Sequence, residues 1–254
     1  MYDLVQLATS AVAVGTRISA LLTFAPFPGG NAIPMRVKAG LAIAITSLLY
    51  PVYHDSVPMI SATNVLGVIG SEMMIGLLTG LTITFIFEGA QIAGQIMGMQ
   101  VGFSLVNIID PQTQVDTPVL STMHQMLVLL IFLRLDVHHW VIRGTASSFS
   151  YLPIGELRVS GSALEALLHG ASSIFVSGVE IAAPILCATL LADVGLGFVG
   201  KASPQLQVLF LGMSVKTVLA LLVWMSALAL WPNQFELYFG RAMASSEQLL
   251  HLAR

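Results

Sequence analysis

Chemistry in this sequence could reside where ionisable side chains stand among apolar neighbours. Glu72, Gly76, Gly80, Thr84 and Glu88 recur at every fourth residue inside one long apolar run. On an α-helix that spacing draws a slowly spiralling line of acidic and small residues, about 24 Å long at 1.5 Å per residue. Glu180, Asp193, Lys201 and Lys216 interrupt a later pair of apolar runs. An ionisable group in a membrane segment costs a few kcal/mol, so it faces a partner or water. Two readings follow: structural ion pairing, between helices or to a partner subunit, and a path for protons or ions. The charges expected to be buried are Glu72, Glu88, Asp193 and Lys216. Because an unpaired buried ammonium is disfavoured by several kcal/mol, Lys216 should lie near Asp193 or a carboxylate of a neighbouring subunit.

Other reactive constellations are scarce. The chain has no HExxH pair, no Walker-type phosphate loop and no GxSxG elbow. Ser177-Gly178 has no companion motif that would make a membrane serine protease. Asp136, His138 and His139, with His124, have the residue types of a metal site. Adjacent histidines point to different faces of a helix, however, and such a cluster at a helix end suits capping. No metal, no cofactor and no enzymatic activity are therefore expected.

A second feature runs from Phe87 to Pro118. Ala90, Gly94, Gly98 and Gly102 form one bare helical ridge, with Gln91, Gln95 and Met99 on a neighbouring row and Met97 and Gln100 close by. Such a ridge lets two helix backbones press together, and the amide and thioether row suits a wet, adaptable passage. Each glycine weakens a helix by about 1 kcal/mol relative to alanine, so several together call for close packing or a use for looseness. The simplest reading is a tightly packed membrane helix that stops at a proline. It should end at Asp110-Pro111, since proline forces the preceding residue out of helical geometry. The polar run 112–116 follows, and Thr117-Pro118 reads as the start of the next helix.

The elements that must carry these residues are helices in an apolar medium. Of 254 residues, 56% are hydrophobic and only 9% charged, and the mean hydropathy is +0.86. A soluble domain carries about a quarter charged residues. The net charge of −3 points to neither nucleic acid nor a polybasic membrane patch, and the single Cys187 forms no internal disulfide. Met1-Tyr2-Asp3 lacks the basic start of a secretory signal, so the first run reads as a retained helix. The fold class is all-α, a membrane-type protein with long, broken helices.

Six apolar runs follow in order. The first, 4–25, contains Arg17, and residues 27–38 make a proline- and glycine-rich turn. Run 39–53 is short for a bilayer crossing, which takes about 20 residues. A third run starts near Val65 and, if unbroken through the glycine stretch, exceeds any hydrocarbon core. A fourth, 119–133, leads into residues 134–165, the most polar and least periodic part, and the preferred internal boundary. Runs 166–192 and 206–231, joined by a connector over 193–205, read as a helical hairpin. The tail turns at Trp231-Pro232 into a mildly amphipathic helix. Cationic residues favour one side by only five to three, too weak a bias to orient the chain.

Several segments together resemble the R subunit of the bacterial flagellar type III export gate, the FliR/SctT family. The match begins at Arg17, Phe24 and Pro26 and continues through Ile33-Pro34-Met35-Arg36-Val37-Lys38-Ala39-Gly40-Leu41-Ala42. It resumes at Glu72, Gly76, Glu88, Gly89, Gly94 and the Ile109-Asp110-Pro111-Gln112 turn. Pro118-Val119-Leu120 and Leu135-Asp136-Val137-His138-His139 follow, then Ala182-Ala183-Pro184, Asp193, Leu196-Gly197, Pro204-Gln205, Phe210, Gly212 and Lys216. Gln114, Val137 and Gln207 depart from the family pattern.

The resemblance implies a single-copy, non-catalytic pore component of a helical hetero-oligomer with P- and Q-type subunits. Further partners would be the B-type switch subunit and the A-type export subunit, with unfolded flagellar proteins as the substrates that pass. It implies residence in the bacterial inner membrane, at the flagellar basal body, with much of the complex above the membrane plane. Residues 1–165 would be similar to a P subunit, and 166–254 to a Q-type hairpin plus tail. The loop 106–121 would plug the pore, with Val106, Asn107, Ile109, Asp110, Pro111 and Gln112 at its turn and Gly94, Gly98 and Gly102 packing beside it. The Ile-Asp-Pro-Gln turn favours a flagellar system over an injectisome. The alternative is a secondary transporter that couples ions to a small solute through Glu72, Glu88, Asp193 and Lys216. Such a protein would show an internal repeat, and none is visible here.

Overall fold

Where no solvent satisfies the backbone, an apolar segment must bond its own amides, so helices follow directly from these runs. The structure, a computed structural model, describes residues 4–26, 34–53, 64–101, 119–158, 160–203 and 208–253. Among the described residues it is all-helical: α1 (Leu4–Phe24), α2 (Met35–Tyr53), α3 (Val65–Val101), α4 (Val119–Arg134), α5 (Val137–Tyr151), α6 (Gly161–Ala202), α7 (Val208–Ala227) and α8 (Trp231–Leu252). Among the described residues, four helices are long and apolar enough to cross a membrane, or up to six spans if each bent pair counts as one.

Three boundaries differ from the sequence reading. Helix α2 takes in Met35–Lys38 and reaches 19 residues, so the second run is not short. Helix α6 runs 42 residues, through Asp193, Gly195 and Gly197, where a connector was expected. Neither glycine meets anything within 4 Å, and leaving the helix would strand backbone groups that it satisfies. Residues 134–165 are not aperiodic either. Val137, Val141, Thr145, Ser148 and Phe149 form the buried stripe of α5, hidden from hydropathy because two of the five are hydroxyl residues. Helix α3 is continuous over 37 residues, about 55 Å at 1.5 Å per residue.

The chain divides into two compact units that interleave in sequence. One comprises Met1–Phe85, Asp136–Ala171 and Tyr238–Arg254. Its core gathers Ala13, Val14, Ile18 and Leu22 of α1 with Ala42, Phe149 and Ile154, and a second cluster joins Ile75, Leu152 and Leu250. The other unit comprises Ile86–Leu135 and Ser172–Leu237. There Phe87 meets Phe132 edge-on at 5.6 Å, and Trp224 meets Trp231 in the same way at 5.6 Å.

Candidate functional site

In the first unit, the acidic line on α3 ends in a closed ion pair. Arg17 and Glu72 are both fully buried, and Arg17 Nε donates to Glu72 Oε2 at 2.6 Å. Its other nitrogens donate to Ser148 Oγ at 2.9 Å and to the Leu152 carbonyl at 3.1 Å. The guanidinium lies 4.0 Å over the Phe149 ring, and the second Glu72 oxygen accepts from the Gly155 amide at 3.1 Å. Gly155 has φ +83°, a left-handed conformation that glycine adopts without strain. Each charge is thus desolvated but hydrogen-bonded on several sides, the condition under which a buried pair is tolerated.

The rest of the line packs helices together. A Cβ at Gly76 would meet the Arg17 carbonyl oxygen and lie 2.7 Å from Ala20 Cβ, and one at Gly80 would lie 3.0 Å from Phe24 Cβ. Thr84 Oγ1 donates to the Phe24 carbonyl at 2.6 Å. From Glu72 to Thr84 the four-residue repeat is therefore a close seam against α1. Glu88 is exposed, as is Asp193, which corrects the expectation that both are buried. A four-residue step drifts about 40° round a helix of about 3.6 residues per turn, so by Glu88 the line has swung about 160° away from the side that carries Glu72.

In the second unit the glycine ridge holds helices close. Ala90, Gly94 and Gly98 are buried, while Gln95 and Met99 of the neighbouring row are exposed. A Cβ at Gly94 would lie 2.5 Å from Ser121 Cα, and Ser121 Oγ donates to the Gln91 carbonyl at 3.1 Å. Gly89 and Gly178 form a matching close approach, since a Cβ on Gly178 would lie 3.1 Å from the Gly89 carbonyl oxygen. Thr217 Oγ1 donates to the carbonyl of Val101, where α3 ends among the described residues, at 2.8 Å.

Helices α6 and α7 form an antiparallel hairpin: Lys216 meets Asp193, and nearer the turn Gly212 meets Leu196. Lys216 Nζ is 2.8 Å from Asp193 Oδ2, with the carboxylate side chain 48% exposed. Glu180 and Lys201 are exposed. The plug residues Val106, Asn107, Ile109, Asp110, Pro111 and Gln112, and Gly102 beside them, lie outside the described residues.

At the start of α5 the histidines do not point apart. Their ring centroids are 4.1 Å from each other, and Asp136 Oδ1 lies 3.4 Å from His139 Nδ1 and 3.9 Å from His138 Nε2. Nor does the Asp136 side chain cap the helix. His124 is not part of this group; it is buried in the second unit, edge-on to Trp231 at 4.5 Å.

A family model described as bacterial export proteins, family 1, matches residues 8–242. The chain belongs to that export family. Among its relatives is the flagellar biosynthetic protein FliR of Escherichia coli K12, 34% identical over 197 residues, covering 77% of this chain and 75% of the relative. The FliR of Pectobacterium carotovorum is 31% identical over 225 residues, covering 88% and 86%. That of Bacillus subtilis is 26% identical over 226 residues, covering 88% and 87%. Within this export-family chain, sequence reasoning missed Arg17 as the partner of Glu72. A usable signal was present: one arginine in the middle of the first apolar run must face a partner or water, and a carboxylate on another helix is one such partner.

Proposed function

We propose that this chain is a non-catalytic pore component of a flagellar type III export gate, forming the channel entrance for unfolded flagellar proteins. The observation that carries the reading is the match along residues 8–242 to an export family whose relatives are named flagellar biosynthetic proteins. In this reading the chain works in a bacterial inner membrane at the flagellar basal body. One copy assembles with P- and Q-type subunits, and the B-type switch and A-type export subunits are further partners. Residues 1–165 play the P-like part, and 166–254 the Q-like hairpin and tail. Extensive exposed apolar surface supports burial by lipid or neighbours: Ile43 and Leu48 on α2, and Phe175, Leu191 and Phe198 on α6, are each at least 67% exposed. Ion-coupled transport gains no comparable support, because Glu72, the fully buried carboxylate among its candidates, is locked by Arg17.

Within the segment 106–121, whose last three residues start α4 with Ser121 packed against Gly94, the part around the Asp110-Pro111 turn holds the pore shut at rest and moves aside for substrate. Its polar run 112–116 suits a water-filled lumen better than lipid. Deleting Gln112–Gln114 in a complete gate tests this through small-ion leakage across the membrane. A leaky gate that still co-purifies with P- and Q-type subunits supports the plug. A tight membrane with normal export reduces the segment to a connector, and a chain that never co-purifies with such subunits from cells that make them removes the gate reading itself.

A further inference from the structure

We propose that Asp136, His138 and His139 form a binding site for a divalent transition-metal ion, with Zn2+ the best-suited occupant. The three residues each present one ligand atom, and these atoms lie within 4.8 Å of one another. Zinc bonds to imidazole nitrogen and carboxylate oxygen are about 2.0–2.2 Å long, which in a tetrahedron puts ligand atoms about 3.3 Å apart. The observed 3.4 Å between Asp136 Oδ1 and His139 Nδ1 matches that spacing. The 3.9 Å to His138 Nε2 closes with a small side-chain rotation. Two nitrogens and one carboxylate oxygen form a borderline donor set, suited to zinc and its neighbours in the first transition row rather than to magnesium or calcium.

The backbone presents these donors. Asp136 precedes the first turn of α5 at φ 54° and ψ 27°, and is the one non-glycine residue with positive φ among the described residues. An aspartate before a helix normally accepts from amides of the first turn. Here its carboxylate makes no such bond and faces the two imidazoles instead. Asp136 and His139 are exposed, so an ion has a route in and a fourth position open to water or to a donor from a neighbouring chain. The bound ion staples the first turn of α5. The site needs neither the pore nor the plug and stands independently of both.

The test uses the full chain in its assembled gate, purified with a non-histidine tag and stripped with chelator. Calorimetry with Zn2+ should find one site per chain. Asp136→Asn, His138→Ala and His139→Ala should each weaken it at least tenfold, while His169→Ala should leave it unchanged. Co2+ added to the unsubstituted protein should give the visible bands of a low-coordinate site with imidazole ligands, a readout independent of how the variants fold. No stoichiometric uptake, uptake retained in the triple variant, or a cobalt spectrum of the free hydrated ion would each overturn the proposal.

Discussion

Two ion pairs among the described residues, Arg17–Glu72 and Lys216–Asp193, are of similar length and differ in almost everything else. Arg17–Glu72 is 2.6 Å long, with both side chains at 0% exposure. Lys216–Asp193 is 2.8 Å long, with exposures of 19% and 48%. The first uses three guanidinium nitrogens and both carboxylate oxygens, and gains a backbone amide, a backbone carbonyl, a serine hydroxyl and an aromatic face. The second is one contact between two helices of a hairpin. Length therefore says little about what a pair does. Burial raises both the Coulomb attraction and the cost of leaving either partner alone, whereas exposure lowers both.

The largest expected effect comes from breaking the buried pair on one side. Arg17→Leu leaves the Glu72 carboxylate desolvated and should cost about 3–5 kcal/mol, read as unfolding of the purified chain in detergent. The double variant Arg17→Leu/Glu72→Leu should recover much of that loss. If the single variant costs under about 1 kcal/mol, the two pairs are alike and the contrast fails. Next in size is Gly76→Ala, which puts a methyl group against the backbone carrying Arg17. It should destabilise by about 1–3 kcal/mol. Gly40→Ala, with nothing within 4 Å, should instead be neutral or stabilise by up to about 1 kcal/mol. Equal outcomes at the two glycines would show that the seam on α3 gives way easily. The smallest effect is at the exposed pair: in the isolated chain, Lys216→Met should change stability by no more than about 1 kcal/mol. That contribution should shrink as salt is raised from 0.05 M to about 1 M, where screening acts within a few ångströms. The Arg17 contribution should hold over the same range, and a shared salt dependence would mean that water reaches both pairs.

Much of the fold was legible without coordinates. The apolar runs announce helices, the run from Val65, which could break or continue, is continuous in α3 to Val101, and the hairpin of α6 and α7 was expected from two long runs joined by a short glycine- and proline-containing connector. Other features were not legible. The α5 stripe uses Thr145 and Ser148 as buried residues, and composition reads these as surface. The end of α6 was misplaced because Gly195 and Gly197 suggest a turn in sequence, yet a continuous helix satisfies their amides. The convergence of Asp136, His138 and His139 was hidden because adjacent residues diverge on an ideal helix, and the positive φ of Asp136 is a property of the folded backbone.

By itself, then, the sequence determined the helical membrane class and the requirement that ionisable groups among apolar neighbours, Glu72, Glu88, Asp193 and Lys216 among them, face a partner or water. Periodicity assigns a residue to a face but cannot name what stands across from it. Only the tertiary structure decided that Arg17 meets Glu72, 55 residues away in sequence. Only it decided that Ser148 and Leu152 close the same site from more than 130 residues away, and that Glu88, about 160° round the helix from Glu72 at about 3.6 residues per turn, is left exposed. The physical reason is that burial and pairing belong to the contact between two helices, and each helix sequence specifies only one side of that contact.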